Sequence, residues 1–314
     1  MKRVDIVSDK GVRFSFYDSL EFRIGAGAMG EVFKGWETNN PNHKVAIKRV
    51  FSKHAEVPQI RERAKYEASI CIDHPNIIKM LGYAQFDRTR GPIFIISELV
   101  RGTVVNKFVS QFDPVTKVDI VTEMMCSILD ALTCLHTQNP PIWHRDIKPS
   151  NIMIENGINV RIMDLGIATS DGLSFGTIDG RGFGTYPYAP PEQITGKRGE
   201  VDGKSDIYSL GVTFYELLTD VNPFCGGSDI DIMEKQISMN LPPNPKIPKH
   251  IFKIILKATA KKKENRYQTA QEFKNDLLTP DINDNYFNKK NVIIFISCVI
   301  STILIITAII NLLN

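Results

Sequence analysis

The chain has 314 residues, 43% of them hydrophobic and 23% charged, with a formal net charge of +3. That is ample material for a core and excludes a disordered or low-complexity chain. The mild charge, with no basic run interleaved with aromatics, gives no support for a nucleic-acid partner. Cys71, Cys126, Cys134, Cys225 and Cys298 are scattered without C-x-x-C spacing, so reduced thiols of a cytosolic protein are expected rather than a metal or disulfide framework.

Met1, Lys2 and Arg3 are followed by Asp5 and Asp9 with no long apolar run, so no signal peptide is expected. Residues 1–18 read as a lead-in whose alternating Val12, Phe14 and Phe16 suit a strand. Then Gly25, Gly27 and Gly30 form G-x-G-x-x-G, with Val32 close behind. Dinucleotide folds use the same spacing, but there it opens a helix. Here Val32, Phe33, Lys34, Gly35 and Trp36 continue as alternating strand. The pattern predicts a hairpin folded over a nucleotide's phosphates, its glycines letting backbone N–H groups approach closely, with Val32 over the base.

Val45, Ala46, Ile47 and Lys48 predict another strand, on which a lysine would ordinarily point to solvent. Residues 59–72 predict a helix carrying Glu62 and Glu67, and 80–86 and 93–98 predict strands flanking a turn at Arg90, Gly91 and Pro92. Apolar Val121, Met124, Met125, Ile128, Leu129, Leu132 and Leu135 recur at helical spacing over 117–138, with the methionines as core filler.

That helix leads into His144-Arg145-Asp146-Ile147-Lys148-Pro149-Ser150-Asn151, then a hairpin turning at Glu155, Asn156 and Gly157, then Asp164-Leu165-Gly166. One loop thus offers an acid to orient a hydroxyl, a lysine for phosphate charge and an amide for a metal, and the second motif adds another acid. H-R-D-x-K-x-x-N followed by D-L-G, in this order after the glycines and Val-Ala-Ile-Lys, resembles the eukaryotic-type (Hanks-type) serine/threonine protein kinases, of the bacterial membrane-anchored kind. The resemblance covers residues 19–278. It implies an α+β, bilobal fold with a β-rich N-lobe (about 19–98), a helical C-lobe (about 99–278) and ATP between them.

The resemblance also implies roles. Asp146 would orient the substrate hydroxyl and Lys148 would neutralise the transferring phosphoryl group. Lys48 would pair the α- and β-phosphates, held by Glu67, with Glu62 left as the alternative. Ile24, Gly25, Ala26, Gly27, Ala28, Met29, Gly30, Glu31, Val32 and Ala46 would line the nucleotide. Backbone groups of Glu98 and Val100 would meet the adenine edge, and small Ser97 would open the pocket behind it. Asn151 and Asp164 would hold Mg²⁺, with Mn²⁺ as a substitute. Leu165 would fill a slot more often held by Phe, and His144 would be a packed, hydrogen-bonded histidine.

Residues 165–192 would be the activation segment. Ser170, Ser174 and Thr177 are its phosphorylation candidates, Thr177 foremost, with Arg145 as the partner for the added phosphate. Thr185 would bond Asp146 and Lys148. The family's A-P-E stands here as Pro190-Pro191-Glu192, and Glu192 would pair Arg266. Asp206 would brace the catalytic loop. A polar linker (279–291) leads to 292–313, an uncharged apolar run that as a helix would span about 33 Å, enough to cross a bilayer core. Lys289 and Lys290 precede it, so the expectation is a tail-anchored, single-pass protein of the cell (inner) membrane with its kinase domain in the cytoplasm. Expected partners are ATP, proteins bearing Ser or Thr, the lipid bilayer and a transient homodimer for autophosphorylation. The alternative is a membrane-anchored pseudokinase scaffold that binds nucleotide without transfer.

Overall fold

A mainly antiparallel sheet builds the first lobe and a block of helices the second. The structure is a computed structural model that describes residues 1–27, 30–157, 159–165, 186–196 and 200–279. Ala28, Met29, Ser170, Ser174, Thr177, Thr185 and the 292–313 run lie outside the described residues. The expected bilobal α+β architecture is present.

In the first lobe, β1 (Lys2–Val7), β2 (Arg13–Asp18), β3 (Arg23–Gly27), β4 (Gly30–Glu37) and β5 (Asn40–Val50) are followed by the short α1 (Ser52–Ala55) and by α2 (Pro58–Ser69). Then come β6 (Met80–Gln85) and β7 (Ile93–Glu98). The sheet order is β1-β2-β4-β5-β7-β6, with β3 also paired to β4. β2 and β3 share one edge of β4, β2 opposite Gly35–Glu37 and β3 opposite Gly30–Phe33. The lead-in therefore supplies two strands rather than the one its apolar alternation suggested.

Period-two alternation along β5 sorts its residues between two environments. Val45 and Ile47 enter a core with Ile6, Phe14, Phe16, Phe33, Phe94 and Ile96. The opposite face receives α2, whose Ile60, Ala64 and Ala68 pack with Val50, Ile78, Met80, Ile93 and Ile95. The sheet curls until Ser8 bridges Ala84 on β6, and the Asp9 N–H donates to the Tyr83 carbonyl at 2.8 Å.

After the hinge, β8 (Gly102–Val104) pairs β9 (Ile152–Glu155), which pairs β10 (Asn159–Ile162) in a three-stranded sheet. The helices are α3 (Val105–Val109), α4 (Pro114–His136), α5 (Pro191–Ile194), α6 (Gly203–Thr219), α7 (Asp229–Ser238), α8 (Lys249–Ala258) and α9 (Ala270–Leu278). α4 starts where Asp113 accepts from the backbone N–H groups of Val115 and Thr116, with Pro114 in the first turn. α6 starts at an Asp202/Ser205 capping box and ends at Asp220 in the left-handed region. The apolar face of α4, with Val121, Met125, Ile128, Leu129 and Leu132 fully buried, packs with Ile207, Leu210 and Phe214 of α6 into one large core. That core carries the catalytic loop on its upper surface.

Candidate active site

Lys48 reaches the cleft because β5 alternation turns Ala46 and Lys48 away from the core that takes Val45 and Ile47. Its Nζ lies 3.0 Å from Asp164 Oδ1 and 3.8 Å from Glu67 Oε1. Glu67 is delivered by the buried face of α2, in register with Ile60, Ala64 and Ala68. Glu62 is off that face, exposed and paired with Lys65 at 2.7 Å. The structure thus chooses between the two glutamates on burial.

The charges are coupled. Burial works against the ammonium of Lys48, but Asp164 and Glu67 more than reverse it and hold it above the usual lysine value. Burial pushes the Glu67 carboxyl up to about 7, against the pull of Lys48. Lys48 above all holds the Asp164 carboxyl below its ordinary value.

Across the cleft, the Lys148 ammonium sits 2.7 Å from Asp146 Oδ2. Asn151 Nδ2 donates to the Asp146 carbonyl at 2.8 Å and to its Oδ2 at 2.9 Å. With both amide hydrogens turned inward, Asn151 Oδ1 is its remaining acceptor. The Met163 N–H donates to the Asn151 carbonyl at 2.8 Å, which ties the loop to the strand end bearing Asp164. Among the described residues no group of three or more His, Cys, Asp or Glu could hold a metal. Asn151 and Asp164 offer two oxygen donors, a set that suits a hard cation taking its other ligands from phosphates and water.

The loop's backbone is held from below by Asp206. Its Oδ2 accepts the His144 N–H at 2.9 Å and its Oδ1 the Arg145 N–H at 2.7 Å. Arg145 (φ 64°), whose N–H Asp206 holds, and Asp164 (φ 46°) both occupy the left-handed region, which is uncommon for a residue such as arginine and more readily adopted by aspartate. Burial would raise the Asp206 carboxyl, but hydrogen bonds from His136 and the Arg145 N–H outweigh it and keep the group below its usual value. His136 Nε2 to Asp206 Oδ2 is 2.8 Å. His136 was not singled out in the sequence; its only signal was its place at the end of the helix leading to the loop. His144 is fully buried, its Nε2 3.0 Å from the Met163 carbonyl.

A model of the protein kinase domain matches residues 19–284. The chain belongs to the protein kinase family. It is 34% identical over 262 residues to the serine/threonine-protein kinase PrkC of Bacillus subtilis, covering 82% of this chain and 39% of that protein. It is 31% identical over 262 residues to a probable serine/threonine-protein kinase PknB of Lactococcus lactis (82% and 40%). Over 264 residues it is 33% identical to the serine/threonine-protein kinase PknB of Mycobacterium tuberculosis (81% and 41%). The chain spans about two fifths of the length of these relatives.

In this member of the family the glycine hairpin is formed by β3 and β4. A side chain at Gly27 would meet nothing within 4 Å among the described residues, which leaves room for a ligand there. Gly30 has a second reason to be glycine, since a Cβ there would sit 2.1 Å from the Arg49 carbonyl oxygen. Glu31, expected to line the nucleotide, turns its carboxylate to Arg23 and Arg49, each at 2.7 Å; only its backbone is left for that role. Arg49 also pairs Asp18 at 2.7 Å. At the hinge, the Glu98 N–H donates to the Lys79 carbonyl at 3.0 Å, and the Glu98 carbonyl accepts from the Ser97 hydroxyl at 3.3 Å, with a second lone pair left to present. The Glu98 carboxylate pairs Arg161 of β10. Ser97 is buried behind it, and Leu165 packs in the large core.

Glu192 and Arg266 form a buried bidentate pair at 2.8 and 2.9 Å, with the Ser205 hydroxyl donating to the same carboxylate at 2.7 Å. Gln193 beside it donates to the Arg145 carbonyl at 3.2 Å. The helix after the activation segment is therefore joined to the catalytic loop.

Proposed function

We propose that this chain is a Mg²⁺-dependent kinase transferring the γ-phosphoryl group of ATP to serine or threonine hydroxyls of proteins. The observation that carries the reading is Lys48 held between Glu67 and Asp164 while Asp146, Lys148 and Asn151 form one hydrogen-bonded unit opposite it. A scaffold without transfer has no need of all six side chains in that array. Asp146 accepts and orients the hydroxyl proton, and Lys148, already paired with it, neutralises charge gathering on the phosphoryl group. Lys48 binds the α- and β-phosphates; backbone N–H groups along Gly25, Ala26, Gly27 and Gly30 cover them. The Glu98 carbonyl and Val100 meet the adenine edge. Asn151 and Asp164 would hold Mg²⁺, or Mn²⁺ in its place, which supplies charge neutralisation to the phosphates. Lysine at position 148 and the serine/threonine-protein kinase names of the relatives favour Ser and Thr as acceptors.

The reading extends to the parts outside the described residues. Phosphorylation of Thr177, with Ser174 and Ser170 as further acceptors, activates the kinase through Arg145, by transfer between two transiently paired copies. Residues 292–313 cross the cell membrane once, with the kinase domain in the cytoplasm; their lack of charge and Lys289 and Lys290 beside them support this. Among the described residues no helix is long and apolar enough to cross a membrane.

The test uses the full chain in detergent with radiolabelled ATP and Mg²⁺, beside Asp146→Asn, with phosphosites mapped by mass spectrometry. Label on Ser or Thr in the wild type alone is expected, Thr177 included. Bound ATP with no transfer to itself or to added proteins would instead establish a scaffold.

A further inference from the structure

The turn at Tyr186–Tyr188 ends the activation segment and is held by side chains far away in sequence. Gln236, fully buried on α7, donates from Nε2 to the carbonyls of Tyr186 at 3.2 Å and Pro187 at 2.5 Å. Asn222 donates to the same Pro187 carbonyl at 3.1 Å. The Ser209 hydroxyl donates to the Tyr188 carbonyl at 2.8 Å, and the Tyr188 hydroxyl donates to Glu216 at 2.6 Å.

Two carbonyls facing Gln236 decide which way its amide points, because oxygen in that place would meet oxygen. Its Oε1 must then look back into the lobe, where it accepts from the Tyr208 hydroxyl of α6 at 2.5 Å. The Tyr208 oxygen in turn accepts from Lys261 Nζ at 2.7 Å. Lys261 lies against the rings of Tyr208 and Phe224, and its carbonyl accepts from Arg266 at 3.1 Å. A directed chain of hydrogen bonds thus runs from the Lys261 ammonium through Tyr208 and Gln236 to the turn, and the backbone of Lys261 is tied to Arg266. A methionine at position 236 would fill the same space between α6 and the turn without burying two polar atoms. The polar group is needed for what it holds.

What it holds leads to the catalytic loop. From the turn the chain passes through Pro190 into α5, where Gln193 reaches the carbonyl of Arg145, next to Asp146. The turn packs on α6 and α7, away from the β3–β5 strands that carry the glycine hairpin and Lys48.

We propose that Gln236, oriented by Tyr208, is a positioning residue for the protein substrate: it fixes the Tyr186–Tyr188 turn as the wall beside which the substrate backbone lies when its hydroxyl meets Asp146. This rests on the kinase reading above. The side-chain bonds of Gln236 go to Tyr208, Tyr186 and Pro187 and not to Lys48, Asp146, Asn151 or Asp164, so on this proposal its effect falls on the protein substrate and spares nucleotide binding.

The test compares full-length wild type, Gln236→Met, Tyr208→Phe and the double variant in detergent. Dephosphorylated casein is the probe, and three quantities are read: KM for casein, the dissociation constant of a fluorescent ADP analogue, and Tm. Gln236→Met is expected to raise the casein KM by about tenfold or more, the scale of a displaced substrate platform, with ADP affinity unchanged. Tyr208→Phe leaves the amide in place but unoriented and gives a smaller rise; the double variant is no worse than Gln236→Met. A casein KM at the wild-type value in both single variants, whatever happens to Tm, would reduce Gln236 to packing and overturn the proposal. So would a matching loss of ADP affinity, which would mean collapse of the whole cleft. No phosphorylation of casein by wild type is a different result, since it removes the kinase reading itself.

Discussion

Replacing Arg266 by methionine probes a fully buried charge in the helical lobe. Its side chain is 0% exposed and that of Glu192 4%, so removing the guanidinium strands a carboxylate with Ser205 as its one remaining side-chain partner among the described contacts. Breaking a buried pair from one side costs about 3–5 kcal/mol. The carbonyls of Ala260, Lys204 and Lys261 also lose a donor, each loss worth about 1 kcal/mol where water cannot replace it. With partial relaxation, Arg266→Met should lose about 4–6 kcal/mol, a large part of the roughly 5–15 kcal/mol of a whole domain. At about 2–4 °C per kcal/mol, Tm should fall by about 10–20 °C. Urea unfolding followed by tryptophan fluorescence gives the number, and the two tryptophans, Trp36 in the sheet lobe and Trp143 beside His136, separate the lobes. The Trp143 transition should move most. The double variant Glu192→Met/Arg266→Met buries no lone charge and should recover at least half of the loss. A single-variant loss under about 1.5 kcal/mol, the range of an ordinary substitution, or a double variant less stable than the single, would refute this account of the pair.

Glu67 predicts a pH effect. Its carboxyl is raised from the usual 4.5 to about 7, so its contribution to stability is whole below the lower value and is lost as pH climbs through the upper one. Glu67→Gln, which cannot ionise, should therefore gain on wild type in urea midpoint between about pH 5 and about pH 8; a gap constant with pH refutes the shift. The two glycines of the hairpin should behave differently. Gly30→Ala drives a methyl into the Arg49 carbonyl and should cost about 1–3 kcal/mol in thermal or urea unfolding, whereas Gly27→Ala should leave Tm alone and weaken binding of a fluorescent ADP analogue. Equal Tm for both would contradict the close approach at Gly30. Ser97→Phe should abolish competition by nucleotide analogues carrying a bulky group on the inner adenine edge while ATP still binds; equal binding of those analogues to both forms counts against an open pocket behind Ser97.

Residues acting within one contiguous loop were the most legible. Asp146, Lys148 and Asn151 lie within one short stretch, so the motif could be recognised without the fold, while the bonds that join the three came only with the structure. Glu67 was legible only as one of two, because the choice from Glu62 depends on which face of α2 meets the sheet. β1 forms a local hairpin with β2 that its charged residues hid from the apolar pattern, and the bridge just after it, Ser8 to Ala84 on β6, joins residues distant in sequence. The same is true of His136 and Gln236. Each is one polar residue in a helix, and only the partner brought to it by folding gives it meaning. Glu31 shows how a motif names a position without its side chain's direction. Its place in the glycine motif suggested a nucleotide contact, but strand alternation sends its side chain to Arg23 and Arg49.

The return of Ser8 to Ala84 has a consequence for how copies of this protein meet. An open sheet presents a row of unpaired backbone donors and acceptors at each outer strand, which invites another chain to extend it. Here the first and last strands in the order face each other, and Asp9 occupies Tyr83 from both sides, its N–H on the carbonyl and its carboxylate on the N–H. The small lobe is thereby protected from strand addition. Shortening the chain by its first ten residues would uncover β6 and turn a well-behaved domain into one that self-associates through that strand.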